Sequence, residues 1–310
     1  MSKRIAVIGS NMVDLITYVA RMPDRGETVE APRFEMGCGG KGANQAIAAA
    51  KLGAEVLMVT KVGDDPFADT TIRNFQDHGI DTRHVERVPG TSSGVAPIFV
   101  EPSGENSILI IKGANATLSP ADVDRAADDL KRCSLITMQL EVPLETVYHT
   151  IAFGAEHGIE TLLNPAPACA ELDVERIRKV TFLVPNETEL AILSGMPVDT
   201  DAAVEAAARS LVARGVRTVI VTMGGRGALL VTAEGATRID PVRVTPVDTT
   251  GAGDAFIGSF ARYYTETRDL TAALNKAVRY AADSITRPGT QKSYATAEEF
   301  EAFCEAVDGM

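Results

Sequence analysis

Short, β-branched apolar runs recur along the chain at Ile5–Gly9, Val56–Val62, Leu135–Leu140, Thr161–Asn164, Phe182–Pro185, Val219–Met223 and Leu229–Thr232. Runs of that length bounded by turn residues predict strands covered on both faces. Between them, residues 121–132, 143–157, 201–214 and 269–285 repeat their apolar positions at helical intervals. The alternation predicts an α/β fold with a mostly parallel sheet sandwiched by helices. Ligands of such sheets bind beyond the carboxyl ends of the strands. Two segments break the pattern. Leu15–Met36 and Ser92–Lys112 alternate apolar and polar residues, and Pro102-Ser103-Gly104-Glu105-Asn106 reads as a hairpin turn, so a small separate β-sheet is expected there.

The length of 310 residues and the 45% hydrophobic content suit one large domain with an appendage. A formal charge of −12 argues against a nucleic-acid surface or an anionic membrane as partner, though not against a local basic pocket. No apolar run is long enough to span a membrane. The opening Met1-Ser2-Lys3-Arg4 leads into Ile5-Ala6-Val7-Ile8 with no signal-peptide pattern, so a cytoplasmic location is expected. Cys38, Cys133, Cys169 and Cys304 form no C-x-x-C pair and read as reduced thiols, and the four histidines show no ligand-like spacing.

Candidate chemistry centres on two glycine clusters. Asp248-Thr249-Thr250-Gly251-Ala252-Gly253-Asp254-Ala255-Phe256 leads into a helical pattern through Phe256, Phe260 and Tyr263, which puts Asp254 at a helix start. Bare N–H groups at such a start favour an anion, and a carboxylate beside them can accept a proton from an attacking alcohol. A glycine-rich turn followed by an acid is also an ordinary way to begin a helix. The second cluster, Gly37-Cys38-Gly39-Gly40-Lys41-Gly42-Ala43-Asn44-Gln45-Ala46, also precedes an apolar helix with Ala43, Ala46, Ile47 and Ala50 on one face, which favours function. Neither cluster fits G-x-x-x-x-G-K-[ST] or G-x-G-x-x-G.

The two glycine motifs, their order and their separation resemble the ribokinase family of ATP-dependent sugar kinases over essentially the whole chain. Asn186-Glu187-Thr188-Glu189 resembles the family's N-x-x-E element and Thr222-Met223-Gly224-Gly225-Arg226-Gly227 its nucleotide loop, while Met138-Gln139-Leu140-Glu141 and Asn164-Pro165-Ala166-Pro167 are similar to family segments. The resemblance implies a single ribokinase-like kinase domain over residues 1–310, with a small β-sheet lid built from about 15–36 and 92–112. It also implies a homodimer formed through the lid.

Roles follow by position. Asp254 resembles the general base, and the N–H groups of Gly251, Ala252 and Gly253 an anion hole for the transferred phosphoryl group. Asp14, Gly39, Gly40, Lys41, Asn44 and Glu141 match sugar-contacting positions, whose polar groups suit a polyhydroxy substrate. Thr222, Met223, Gly224, Gly225, Gly227 and Gly253 are implied to border ATP, with Arg226 as a phosphate contact and Asn186 on the nucleotide side. Asn186 and Glu189 resemble the pair that positions Mg²⁺, through water. Asp248, Thr250, Ser284, Arg287, Gly289 and Ser293 fall where the family binds a monovalent cation, K⁺.

One departure bears on the acceptor. In Gly9-Ser10-Asn11-Met12-Val13-Asp14, Met12 stands where ribokinases carry an asparagine. A thioether replaces an amide's donor and acceptor, so a hydroxyl facing it loses its partner while a CH₂ packs well. That points to 2-deoxy-D-ribose as the acceptor, and the family resemblance implies phosphorylation of its 5-hydroxyl. The alternatives are D-ribose, then another family acceptor such as a ketohexose or nucleoside, or a non-catalytic sugar-binding regulator with the same fold. An oxidoreductase is disfavoured because the first strand ends in Gly9-Ser10-Asn11, without a dinucleotide fingerprint.

Overall fold

The computed structural model describes residues 3–103 and 105–309. The strands, in chain order, are β1 (Ile5–Ile8), β2 (Met12–Tyr18), β3 (Arg33–Gly39), β4 (Val56–Val62), β5 (Asp81–Arg87), β6 (Val95–Val100), β7 (Asn106–Ile108), β8 (Leu135–Met138), β9 (Glu160–Leu163), β10 (Phe182–Leu183), β11 (Thr218–Thr222), β12 (Ala228–Val231) and β13 (Ala236–Ile239). The helices are α1 (Lys41–Lys51), α2 (Pro66–Asp77), α3 (Pro120–Arg125), α4 (Ala127–Leu130), α5 (Leu144–His157), α6 (Val174–Ile177), α7 (Glu187–Ser194), α8 (Asp201–Ala213), α9 (Ala252–Thr267), α10 (Leu270–Ser284) and α11 (Ala297–Asp308).

Among the described residues, nine strands form the main sheet in the order β13-β12-β11-β10-β9-β8-β1-β4-β5. Pairing is parallel from β5 through β11; β12 then runs antiparallel to both β11 and β13. The central strands β1 and β8 are buried throughout, as their apolar runs require, interrupted in β8 only by Thr137. One core lies on each face. Val7, Ile47, Phe75, Phe182 and Phe260 pack on the α1 and α9 side, and Ile8, Met138, Ile151, Leu190 and Leu211 on the α5, α7 and α8 side.

The predicted strands are present with ends shifted by a few residues. The region 121–132 is not one helix: a capping box at Ser119 starts α3, and α4 follows only after Ala126. Edge strands β5 and β13 were not anticipated, because their half-exposed patterns mix apolar with charged residues.

The two irregular segments meet in a second sheet of order β3-β2-β6-β7. β2 pairs antiparallel with β3 and parallel with β6, so this sheet is mixed. It reaches closer to the core than 15–36, since β2 begins at Met12 and β3 ends at Gly39. β6 and β7 are antiparallel on either side of the expected hairpin turn, whose Gly104 lies outside the described residues.

Helices α1 and α9 set the site. The pattern assigned α1 one apolar face, yet residues 42 to 49 are all buried, because the sheet covers one side and α9 another. A Cβ on Gly258 would sit 2.6 Å from the Ala48 side chain and 2.7 Å from the Gln45 carbonyl, so glycine lets α9 lie against α1. That contact brings Asp254 beside Asn44 and Gln45.

Candidate active site

Asp254 occupies the first turn of α9 and is 6% exposed. Each carboxylate oxygen takes one side-chain amide donor from α1: Asn44 Nδ2 donates to Oδ2 at 3.0 Å, and Gln45 Nε2 to Oδ1 at 3.0 Å. Burial pushes its pKa above the ordinary carboxylate value, opposed by the Lys41 charge and by the Asn44 and Gln45 amides. Such a group is a stronger base than a surface aspartate.

The turn preceding α9 is shaped for close backbone approach. Gly251 holds φ 76°, and a Cβ there would fall 2.3 Å from Thr290 Cγ2. Tyr294 Oη donates to the Gly251 carbonyl at 3.0 Å, which pins the turn from below. Among the described residues, the N–H groups of Gly251 and Gly253 find no acceptor, whereas Ala252 N–H makes a long 3.3 Å bond to the Thr249 carbonyl. Two of the three expected anion-hole donors are therefore uncommitted and the third is weakly committed.

Around the second glycine cluster, Ser10 Oγ donates to Glu141 Oε2 at 2.5 Å, and the Lys41 N–H donates to the same oxygen at 2.9 Å. This ties the end of β1, the start of α1 and the segment after β8 together. Gly40 has φ 87°, and a Cβ there would lie 2.8 Å from the Asn11 backbone. No ion pair engages Lys41 among the described residues. Burial disfavours its ammonium, yet the carboxylates of Asp254, Glu141 and Glu189 outweigh that and raise its pKa. Asp14 lies on β2 two residues after Met12, so both project to one face. Burial, with the Glu141 charge, pushes the Asp14 carboxyl up to about 7. Met12 is buried at 3% exposure.

At the other end of the cleft, Asn186 caps α7. Its Oδ1 accepts from Glu189 N–H at 2.8 Å, while Glu189 accepts from Asn186 N–H at 2.9 Å and from Asn186 Nδ2 at 3.0 Å. The N-x-x-E element is thus a capping box in its own right. Glu189 also feels Lys41 and Asp254, which places it at the margin of the same site. Thr222 continues β11 beside Asn186, and Met223 N–H closes the following turn on the Gly227 carbonyl at 2.9 Å. The Met223 side chain belongs to the core, so only its backbone borders the loop. Gly224 and Gly225 are open on their outer side. Arg226 is paired with Glu187 and Asp201, so its guanidinium serves the protein's own carboxylates here.

The last cluster encloses a loop. Asp248 accepts from Thr250 N–H and Gly289 N–H, each at 2.9 Å. Burial works against its charge, but those donors prevail and lower its pKa. Arg287 pairs with Asp283 and donates from Nε to the Ser293 carbonyl at 3.0 Å, so its guanidinium closes the loop. Ser284 Oγ turns back to the Ala281 carbonyl at 2.9 Å. Among the described residues no group of three or more His, Cys, Asp or Glu could hold a metal ion.

Several site residues were missed by motif reading. Gln139 Nε2 donates to Gln45 Oε1 at 2.6 Å, Gln291 Nε2 to Asn44 Oδ1 at 2.9 Å, and Gln45 Nε2 makes a longer 3.3 Å contact with Asn164 Oδ1. The only signal was that Gln45, Gln139 and Asn164 lie inside family-like segments. Ser10 had only its place in the Gly9–Asp14 segment, and Gln291 and Tyr294 carried no signal.

The profile of the pfkB family carbohydrate kinases matches residues 2–297. The chain belongs to that family. It is 64% identical over 299 residues to the deoxyribokinase of Salmonella typhi, covering 96% of this chain and 98% of that one. It is 39% identical over 299 residues to the ribokinase of Bacillus subtilis, with 96% and 98% covered. Among solved structures, the Arabidopsis thaliana ribokinase complexed with ribose and ATP superimposes with TM-score 0.93 at 27% identity, covering 98% of this chain and 99% of that one. Membership in this family agrees with the fold expected from the alternation of apolar runs with helical stretches and from the family resemblance: a large, mostly parallel sheet between helices, with a small second sheet. Among the described residues no helix is long and apolar enough to cross a membrane.

Proposed function

We propose that this protein is an ATP-dependent deoxyribokinase that phosphorylates the 5-hydroxyl of 2-deoxy-D-ribose. The observation that carries the reading is the 64% identity to deoxyribokinase across nearly the whole of both chains, against 39% or less for the ribokinases compared. Met12 agrees with it, since it sets an apolar side chain on the face that also carries Asp14.

In the proposed reaction the sugar lies between Asp14, Gly39, Gly40, Lys41, Asn44 and Glu141, and ATP lies along Asn186 and Thr222 to Gly227. Asp254 takes the proton of the 5-hydroxyl as that oxygen bonds to the γ-phosphorus and the bond to the departing ADP breaks. The uncommitted N–H groups of Gly251 and Gly253 stabilise charge on the transferred oxygens, with Ala252 joining them by giving up its long turn bond. Lys41, raised in pKa and unpaired, offers a mobile cation to sugar or phosphate.

Glu189 and Asn186 suit an outer-sphere role toward Mg²⁺, because a single carboxylate already oriented by its own cap leaves phosphates and water to supply most ligands. When bound, that ion would neutralise phosphate charge. A monovalent cation, K⁺, is assigned to the loop of Asp248, Thr250, Ser284, Arg287, Gly289 and Ser293, through backbone carbonyls. Ser293 already lends its carbonyl to Arg287, so it is the weakest of these ligands.

The small sheet serves as the lid over the sugar. Phe34, Met36 and Ile108 on it, with Leu109, Ile110 and Ile111 just after β7, are 42 to 61% exposed, and this exposed apolar surface supports a homodimer through the lids. A coupled ADP-release assay with deoxyribose, ribose, fructose and adenosine tests the function. The highest kcat/KM should fall on deoxyribose, and highest turnover of ribose would assign a ribokinase instead.

A further inference from the structure

We infer that Gln291 is a positioning residue for Asp254, acting through the side-chain amide of Asn44. The inference rests on the reading of Asp254 as the base. An amide carries its donor and its acceptor on opposite branches of one plane, so a half-turn of Asn44 would replace the N–H facing Asp254 with a carbonyl oxygen. Something must select the productive face. Gln291 Nε2 donates to Asn44 Oδ1 at 2.9 Å, and Asn74 Nδ2 donates to Gln291 Oε1 at 2.9 Å. The chain of donors therefore runs Asn74 to Gln291 to Asn44 to Asp254, with the last bond at 3.0 Å.

The polarity of this chain follows from its inner end. An ionised carboxylate only accepts, so Asn44 must present its NH₂ to Asp254, which turns its oxygen toward Gln291. Gln291 must then present its own NH₂ inward and its oxygen outward, where Asn74 supplies a donor. Each amide is satisfied in one orientation, and that orientation favours the ionised base. The backbone of the loop is held as well, since Lys51 Nζ donates to the carbonyls of Gln291 at 3.0 Å and Tyr294 at 2.7 Å. With one lone pair of its oxygen taken by Gln291, Asn44 keeps its second N–H to donate to a sugar oxygen. The charged and titratable groups facing Asp254 from the surrounding elements are Lys41 on α1, Glu141 after β8, Glu189 on α7 and Tyr294 on the closing loop.

Gln291→Glu tests this at nearly constant shape. The new carboxylate still accepts from Asn74 but cannot donate, so Asn44 turns its NH₂ outward and its carbonyl toward Asp254. Loss and reversal of one hydrogen bond to a charged group should lower kcat about 10- to 100-fold. KM for ATP should stay within about twofold, and the acid limb of the kcat profile should move to higher pH. Gln291→Met, of similar length with no polar end, should lower kcat less and move the acid limb less. Wild-type kcat and an unmoved acid limb in both variants, with Asp254→Asn disabled, would overturn the inference while leaving the base intact. A lowered melting temperature with unchanged kcat and pH profile would likewise reduce Gln291 to a structural part. Near-normal turnover of Asp254→Asn would instead remove the base reading, and the relay with it.

Discussion

Replacing Met12 with asparagine should move the sugar preference from 2-deoxyribose toward ribose. Met12 is 3% exposed, stands opposite Gly39 in the β2–β3 register, and shares a strand face with Asp14. A 2-deoxy carbon meets its thioether without cost, whereas a ribose hydroxyl in the same place gives up water and gains no partner, a penalty of about 1–3 kcal/mol. At about 1.4 kcal/mol per factor of ten, that is a discrimination of roughly 5- to 150-fold in kcat/KM. Ribose should then be a poor substrate of the wild type and not an inert one. Met12→Asn restores a donor and an acceptor, so the ratio of kcat/KM for deoxyribose to ribose should fall by at least about fivefold, read in one coupled assay. Met12→Leu, which conserves apolar character and volume at a stability cost below about 1.5 kcal/mol, should keep the wild-type ratio. An unchanged ratio in Met12→Asn would show that Met12 only packs, and a wild-type preference for ribose would refute the acceptor assignment itself.

Four further outcomes are expected. Asp254→Asn should bind ATP and sugar as the wild type does and lose about 10²- to 10⁴-fold in kcat, as general-base removal does; calorimetric binding with single-turnover kinetics checks both halves. The Asp14 carboxyl, raised to about 7, stays protonated in the folded protein after the unfolded chain has released its proton near 3.8. Stability should accordingly fall as pH rises from about 4 through 7, sugar KM should improve through the same upper limb as the acceptor form appears, and Asp14→Asn should flatten the stability slope in melting curves. Initial rates should rise with K⁺ more than with an organic cation at equal ionic strength, and equal rates would remove the cation assigned to the Asp248 loop. Sedimentation should give a dimer for the wild type and a monomer for Leu109→Glu, and identical masses would place any dimer contact elsewhere.

What the sequence disclosed and what it hid divide along a physical line. β1 and β8 were legible because strands buried on both faces need largely apolar runs, and the start of α9 was legible because the glycine turn before Asp254 leads into apolar residues at helical spacing. Edge strands β5 and β13 were not, since one open face admits charges such as Arg83, Arg87 and Arg238 and erases the periodicity. The same holds inside the site. Motif spacing isolated Asp254 and Lys41, whose residue types announce chemistry, but gave no warning that Asn44 and Gln45 each donate to one oxygen of Asp254, because that depends on α9 packing against α1 at Gly258. Neutral amides such as Gln139 and Gln291 look like ordinary polar residues until the fold buries them and forces each to find a partner. They are nonetheless what converts a buried aspartate into an oriented one: two donors aimed at two oxygens fix the carboxylate plane and leave a lone pair on each oxygen for a hydroxyl. Asp254 is thus marked by its residue type in the sequence, and its aim set by contacts between residues more than two hundred positions apart.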